Sequence, residues 1–116
     1  MRIRQKQKLI REALEDAKAQ DITVLDVSEV SDFADLLAIA SGTSTRHVGS
    51  IAERVVDSLR QHGVRARGVE GKDVGDWVLI DFGDAVVHVM RPAVRDFYNL
   101  EKLWSVGKET RVGNQE

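Results

Sequence analysis

The first part of the chain predicts a helix followed by a strand. Apolar residues recur at helical spacing from Leu9 to Ala17, with charged and amide residues between them, which is typical of an amphipathic helix. We expect this helix to end near Gln20, because the segment from Ile22 to Val27 is rich in β-branched residues that favour a strand. A polar connection follows the strand.

The middle of the chain predicts a buried strand, a turn and a second helix. The run from Leu36 to Ala40 is continuously apolar, which suits a strand covered on both faces. A Ser-Gly-Thr-Ser-Thr turn follows, and apolar residues then recur at helical spacing from Val48 to Leu59. Gly63 can adopt the left-handed conformation that ends such a helix. The order strand, turn and helix predicts half of a βαβ unit and hence a layered α/β fold.

Two further strands, at 77–82 and 85–90, predict a β-hairpin whose register assigns each residue to a face. Gly83-Asp84 suits a two-residue turn, so Ile80 should face Val87. One face is then wholly apolar and belongs to the core, with Val78, Ile80, Phe82, Ala85, Val87 and Val89. The other face is mixed and carries Trp77, Leu79, Asp81, Val86, His88 and Met90. A purely structural strand pair has no need of this mixed face, so we expect something polar-tolerant to cover it.

The end of the chain predicts a short helix and a tail. Pro92 is the only proline and suits the first turn of a helix through Val94 and Phe97. Almost nothing apolar follows Trp104, so we expect one domain over residues 1–104 and a flexible tail over 105–116. A chain of 116 residues is the size of a single domain.

Composition excludes several classes of function. The hydrophobic share of 42% and the charged share of 31% are typical of a globular chain. No segment approaches the ~20 apolar residues of a membrane span, and no apolar signal segment follows the N-terminus, so we expect a cytoplasmic protein with no membrane partner. Without cysteine the chain has no disulfide, no thiolate metal site and no cysteine nucleophile.

Charge is balanced overall but uneven along the chain. Lys and Arg number 17 against 19 Asp and Glu, so no global field holds nucleic acid. Five basic residues nevertheless precede the first acid, Glu12, and they are Arg2, Arg4, Lys6, Lys8 and Arg11. This segment predicts a basic helix start or arm, which serves either as a solvated helical turn or as a local contact with nucleic acid.

The turn of Ser41, Gly42, Thr43 and Ser44 is a candidate anion site. Free backbone N–H groups and the positive end of a helix dipole would converge there. The turn lacks the lysine and glycine spacing of a P-loop and the three glycines of a dinucleotide fingerprint. Helix capping by Thr43 or Ser44 satisfies the same atoms, so we favour capping and keep phosphate binding as the alternative.

Candidate catalytic and metal-binding residues are few. Asp81, with Asp76 and Asp84 nearby, is a conceivable carboxylate site for a divalent cation, but only Asp81 lies on a rigid element. His88 lies on the mixed face and needs a hydrogen-bond partner if covered, for which Asp81 is the candidate. No nucleophile with a placed base can be identified. We therefore predict no catalytic residue, no metal and no cofactor.

Aromatic and basic side chains concentrate near the end of the chain. They are Trp77, Arg91, Arg95, Tyr98 and Trp104. Trp, Tyr and Arg dominate protein interfaces because they combine a large buried area with a polar group. The alternative, which is stronger for Tyr98 and Trp104 than for Trp77, is that the rings close the open face of the sheet within one chain.

Short segments in a fixed order also carry a family resemblance. They are Ala34-Asp35, the run Ala-Ile-Ala-Ser-Gly-Thr-Ser-Thr-Arg-His-Val, Val69-Glu70-Gly71, Asp76-Trp77-Val78, Asp81-Phe82-Gly83-Asp84, Val87-His88-Val89 and Tyr98-Asn99-Leu100-Glu101-Lys102-Leu103-Trp104. Together, from about residue 10 to residue 104, they resemble the ribosomal silencing factor family, also called RsfS or Iojap.

The resemblance implies a single α/β domain with a mixed, mostly five-stranded sheet flanked by helices, a nucleotidyltransferase-like topology and a β-hairpin near the C-terminal end. It implies no established catalytic activity. Such proteins bind a ribosomal protein on the intersubunit face of the large subunit, block joining of the small subunit and repress translation when nutrients are short.

On this sequence, the implied partner-binding surface falls on the mixed hairpin face and the segment beside it. Its residues are Trp77, Leu79, Asp81, His88, Met90, Arg91, Arg95, Tyr98, Leu100, Glu101 and Trp104. A minor contact of the basic N-terminus with ribosomal RNA and a homodimer of the free protein are further expectations. The rival class is a small nucleotidyltransferase-like enzyme that holds phosphate at Ser41 to Ser44 and a metal at Asp81.

Overall fold

The computed structural model describes residues 2–32 and 34–98, apart from the side chain of Tyr98. Its elements are α1 (Ile3–Asp16), β1 (Gln20–Asp26), β2 (Leu36–Ser41), α2 (Thr45–Gln61), β3 (Gly68–Glu70), β4 (Trp77–Asp81), β5 (Ala85–Met90) and α3 (Pro92–Tyr98). The predicted tail and the predicted site residues Leu100, Glu101 and Trp104 lie outside the described residues.

One mixed sheet organises the domain. Its five strands lie in the order β1-β2-β5-β4-β3. The β2 and β5 strands pair in parallel, and the other neighbours pair antiparallel. The chain between the parallel strands includes α2, which is the crossover that the strand, turn and helix pattern predicts. The predicted α/β class with a mixed sheet flanked by helices is confirmed.

The β4–β5 hairpin has the register that its turn predicts. Ile80 pairs with Val87, and Leu79 pairs with His88. The backbone N–H of Phe82 donates to the carbonyl of Ala85 at 2.8 Å and closes the turn. The two faces of the hairpin are therefore separated as expected.

The face of the sheet toward α1 and α2, here called the helix face, holds the main core. Both helices bury their apolar stripes against alternate residues of β2, β4 and β5. All six apolar hairpin residues are buried: Val78, Ile80, Phe82, Ala85, Val87 and Val89. The apolar residues at alternate positions of the strands and those at helical spacing in α1 and α2 thus pack together in one cluster.

The opposite face of the sheet, here called the outer face, carries a smaller apolar cluster. Its fully or largely buried members are Val27, Leu37, Ile39 and Met90. Four partly buried residues pack around them, namely Leu25, Val30, Trp77 and Val94. Because β2 is buried along its whole length, it serves both clusters, as its continuous apolar run predicts.

The first helix begins within the basic segment, which agrees with the predicted basic helix start, but it ends earlier than expected. It begins at Ile3 and ends at Asp16, before the predicted end near Gln20. Lys18 has φ 65°, in the left-handed region, and Ala19 donates its N–H to the carbonyl of Leu14 at 3.0 Å. The chain therefore reverses direction directly after α1, which lets β1 begin at Gln20.

Within the described ranges 2–32 and 34–98, no helix is long and apolar enough to cross a membrane.

Candidate partner-binding face

The rings of Trp77 and His88 form the centre of the outer face. The indole Nε1–H of Trp77 donates to Nδ1 of His88 at 2.9 Å, and the ring centroids are 5.7 Å apart at an angle of 48°. An indole nitrogen can only donate, so Nδ1 must accept, and neutral His88 carries its proton on Nε2. The hydrogen bond therefore fixes the tautomer of His88 and the orientation of the half-buried Trp77.

Burial keeps His88 neutral. Its side chain lies on β5 and the residue is only 9% exposed, and this burial lowers the pKa of His88 from 6.5 to about 4. The imidazole is therefore uncharged at neutral pH, and Nδ1 remains available as the acceptor for Trp77.

The predicted pairing of His88 with Asp81 is wrong. The carboxylate of Asp81 instead accepts the backbone N–H of Gly83 at 2.7 Å. A short Asp side chain readily bonds a backbone N–H two residues further on, and this local bond wins over a cross-strand one. Asp81 thus holds the hairpin turn, while Trp77 takes the place beside His88.

Met90 lies beneath this surface. It is fully buried in the outer-face cluster, where it pairs across the hairpin with Trp77. On the same face, the side chains of Leu79 and Val86 are half-buried and remain accessible. Met90 therefore supports the position of Trp77, and Leu79 and Val86 contribute apolar surface.

The two arginines predicted for the partner surface have different environments. Arg95, on α3, is only 7% exposed, and its guanidinium donates to the hydroxyl of Ser41 at 2.9 Å and to that of Thr23 at 3.4 Å. Arg91 is exposed and donates to the carboxylate of Asp76 at 3.1 Å. Arg95 therefore ties α3 to β1 and β2, whereas Arg91 and Asp76 form a charged rim beside Trp77.

Phe97 is an exposed residue outside the set of predicted partner-binding residues. It lies on α3 and is 81% exposed. Two residues along a helix turn the side chain by about 200°, so Phe97 points away from the sheet when Arg95 points into it. The burial of Arg95 would have indicated that Phe97, on the other side of α3, is exposed. That burial, however, depends on contacts with residues distant in sequence. The side chain of Tyr98, the last residue of α3, lies outside the described residues.

The turn before α2 is a helix cap. The hydroxyl of Ser44 accepts the backbone N–H of His47 at 3.0 Å, as the capping interpretation predicts. The backbone N–H of Thr43 donates to Nδ1 of His47 at 2.9 Å. Two N–H groups near the start of α2 are therefore already bonded within the chain.

Close packing explains why position 42 is a glycine. Its N–H donates to the carbonyl of Met90 at 3.0 Å, and a Cβ at this position would lie 2.8 Å from the side chain of Val48. Ser41 is buried and accepts the bond from Arg95. The sequence Ser-Gly is thus explained by close packing between β2, β5 and α2, without a phosphate.

The three carboxylates considered for a metal do not converge. Asp76 bonds Arg91, and Asp84 bonds Nζ of Lys6 at 2.6 Å. Asp81 bonds the backbone of Gly83. Over the ranges 2–32 and 34–98, no three His, Asp or Glu side chains are grouped as metal ligands. The geometry therefore does not assemble the metal site that the enzyme alternative requires.

Fold and site together define a small α/β domain that buries one sheet face under helices and presents a partly exposed aromatic patch on the other. The family model described as ribosomal silencing factor during starvation matches the chain over residues 1–116. The chain belongs to this ribosomal silencing factor family, which confirms the resemblance.

Individual relatives agree with the family match. A ribosomal silencing factor RsfS from Chromobacterium violaceum is 47% identical over 104 residues, which cover 90% of this chain and 85% of that protein. A crystal structure of a protein from the same species superposes with a TM-score of 0.87 at 44% identity, covering all of this chain and 90% of the other. The mouse protein named mitochondrial assembly of ribosomal large subunit protein 1 is 38% identical over 96 residues, covering 80% of this chain and 42% of its own length.

Proposed function

We propose that this protein silences ribosomes by docking its outer face on a ribosomal protein at the intersubunit face of the large subunit. A domain of 40 × 34 × 21 Å seated there would occupy space that the small subunit needs. The mechanism is steric, requires no catalytic residue and represses translation under nutrient limitation. The family description supports the silencing function, and the name of the mouse relative supports the large subunit as the site of action.

The observation that carries the proposal is the Trp77–His88 pair in its half-exposed setting. An indole held by a hydrogen bond loses little conformational freedom on binding, and Trp is a frequent source of binding energy in protein interfaces. Leu79 and the exposed Phe97 add apolar area, and Arg91 adds a charged group at the rim.

The other predicted partner residues have different roles in the proposal. Three of them are buried and support neighbouring residues of the surface instead of contacting the partner: His88, Met90 and Arg95. Asp81 contributes a half-buried carboxylate at the hairpin turn. We propose that Tyr98, Leu100, Glu101 and Trp104 extend the same surface.

Three further expectations belong to this proposal. The protein acts in the cytoplasm, where ribosomal subunits are available. The basic N-terminal segment adds a minor contact with ribosomal RNA. When free, the protein pairs with a second copy through the outer face, which would cover the apolar surface until a ribosome is bound; this stays a prediction.

Sedimentation with purified large subunits tests the docking face. We expect Trp77→Ala to weaken binding by roughly 30-fold or more, the effect of removing about 2 kcal/mol at an interface hot spot. Trp77 also packs on the outer-face cluster, so its loss could disturb folding. The circular dichroism spectrum of the Trp77→Ala variant must therefore match that of the wild type. Phe97→Ser removes an 81% exposed ring at little cost to folding and should also weaken binding.

Val69→Ser is the matched control. Val69 is an exposed apolar residue on β3, and its partner Ile80 points to the helix face, so Val69 lies on the side away from the outer face. Its substitution should leave binding unchanged. Unchanged binding by Trp77→Ala and Phe97→Ser would contradict the assignment of the docking face.

A further inference from the structure

A cationic cleft lies at the end of the hairpin opposite Trp77. The turn between β4 and β5 meets the first turns of α1 and the chain that follows α2. Gln5, Lys6, His62, Arg65 and Phe82 line an open cleft of about 540 Å³ there. A neighbouring cleft shares Gln5 and His62 and adds Lys8. The two clefts are therefore continuous along one side of α1.

Arg67 extends this cleft around the hairpin turn. Its Cδ and a guanidinium nitrogen lie 3.4 Å from the position that a Cβ on Gly83 would occupy. Lys8, Arg65 and Arg67 are exposed, and none of them forms an ion pair within the part of the chain that the structure describes. Three accessible cations from two separate segments of the chain thus border the same surface.

Three carboxylates lie close to this surface, where Lys6, Lys8, Arg65 and Arg67 outnumber them. The carboxylate of Asp81 accepts the backbone N–H of Gly83 at 2.7 Å in the hairpin turn. Asp84 is bonded by Lys6 at 2.6 Å, so these two charges largely cancel. Glu12 lines the far end of the cleft beside Lys8. Because Lys6 and Asp84 neutralise each other, the two positive charges of Arg65 and Arg67 face the single negative charge of Asp81 near the turn, and the net charge there is positive.

We propose that this cationic cleft binds the phosphate backbone of ribosomal RNA, as a second contact separate from the protein-docking face. The proposal rests on the proposed function, because a factor seated on the large subunit has RNA phosphates around it. It goes beyond a contact by the N-terminal segment, because Arg65 and Arg67 come from the connection between α2 and β3.

The chemistry of the cleft favours RNA over an acidic protein. Protein interfaces depend on apolar or aromatic anchors in their centre, whereas phosphate contacts need only accessible cations. The aromatic ring in the cleft belongs to Phe82, which is buried in the main core. The cleft therefore offers charge and hydrogen-bond donors without an exposed anchor, which suits a uniform polyanion.

The salt dependence of large-subunit binding tests the contact. Each phosphate contact contributes a slope of about 0.7 to 0.9 in log affinity against log salt. We expect the double variant Arg65→Gln/Arg67→Gln to reduce the slope by about 1.4 to 1.8, so that between 50 and 200 mM salt the wild type loses roughly tenfold more affinity than the variant. The control Lys18→Gln/Arg46→Gln also removes two exposed cations, but away from the cleft, and should leave the slope unchanged.

A labelled A-form RNA duplex supplies a test that does not depend on the ribosome. At low salt the wild type, Trp77→Ala and the control should bind the duplex equally, and Arg65→Gln/Arg67→Gln should lose at least tenfold in affinity. No duplex binding by the wild type, or equal binding by the cleft variant, would overturn the RNA contact. Binding of polyglutamate as tight as that of RNA would overturn it in favour of an acidic protein partner.

The two measurements separate this contact from the docking proposal. If Trp77→Ala weakens large-subunit binding as expected while the cleft variant keeps the wild-type slope, the docking face stands and the RNA contact is wrong. If Trp77→Ala and Phe97→Ser bind as the wild type does, but the cleft variant loses duplex affinity, the RNA contact stands and the docking face is wrong.

Discussion

The two faces of the sheet are built from alternate residues of the same strands, yet they differ in kind. On the helix face, the residues of β4 and β5 are aliphatic and fully buried under α1 and α2. On the outer face, the neighbouring residues include an aromatic ring, an imidazole and a carboxylate, and several are half-exposed. A single step along a strand thus separates a residue of the folding core from a residue of the candidate docking surface.

This difference shows how a small domain supplies both stability and a binding surface. Of the three helices in the described residues, the two longest, α1 and α2, both lie on the helix face. The helix face takes most of the apolar burial. The outer face is covered in part by α3 and the segment around Val27, which leaves Trp77 partly accessible.

The sharpest test of the comparison uses adjacent residues of β4. Ile80→Ala removes a fully buried side chain from the helix face and should lower the free energy of unfolding by about 4 kcal/mol. Leu79→Ala removes a half-buried side chain from the outer face and should cost only about 1 kcal/mol. Urea denaturation measures both values. In subunit binding the order should reverse, with Leu79→Ala weakening the complex more than Ile80→Ala at a temperature where both variants are folded.

Equal losses of stability from the two substitutions would contradict the difference between the helix face and the outer face. That result would mean that the outer face is as fully packed in solution as the helix face, and that Leu79 is not available to a partner.

The second prediction concerns acid sensitivity, which should reside in the outer face. Burial lowers the pKa of His88 to about 4, whereas the unfolded chain takes up this proton near pH 6.5. The stabilising contribution of neutral His88 is therefore complete above pH 6.5 and is lost as the pH falls toward 4. The difference between the two pKa values corresponds to about 3 kcal/mol of unfolding free energy.

Denaturant unfolding of the wild type and of His88→Gln between pH 7.5 and 4 measures this contribution. Carboxylates titrate in both proteins, so the informative quantity is the difference between them. We expect the wild type to lose about 3 kcal/mol more than the variant over this range. Parallel pH profiles would show that the pKa of His88 is the same in the folded and the unfolded protein, and hence that its ring is not buried in solution.

The sequence predicted local features well because neighbouring residues determine them. Alternation along 77–90 and the Gly-Asp turn established the hairpin register, and Ser44 was one of two capping candidates for α2. The end of α1 was less predictable. Lys18 takes a left-handed conformation that its residue type does not favour, and the reversal depends on where β1 must start.

The features that were missed depend on contacts between distant parts of the chain. The partner of His88 was misassigned because Asp81 has a nearer backbone donor in its own turn. The burial of Arg95 requires Ser41, 54 residues away in sequence, and Lys6 bonds Asp84 across 78 residues. Residue type and spacing carry no signal for such pairs, so the candidate site could be located by face but not resolved residue by residue.

Arg95 provides the third test, because it is a buried cation on the outer face and, among residues 2–32 and 34–98, no cation is buried on the helix face. Arg95→Met preserves most of the side-chain volume but removes the donor to the hydroxyl of Ser41, a residue that is only 1% exposed. Leaving this group without its bond should cost about 2 kcal/mol. The control Arg91→Met breaks an exposed ion pair with Asp76 and should cost less than about 1 kcal/mol.

A double-mutant cycle with Ser41→Ala separates the lost bond from other effects of the substitution. If the bond to Arg95 stabilises the fold, Arg95→Met should cost less in the Ser41→Ala background than in the wild type, by about 1 kcal/mol. Strict additivity would show that the two side chains do not interact in solution. Arg95 would then not fix α3 over the sheet, and the outward orientation of Phe97 would need another cause.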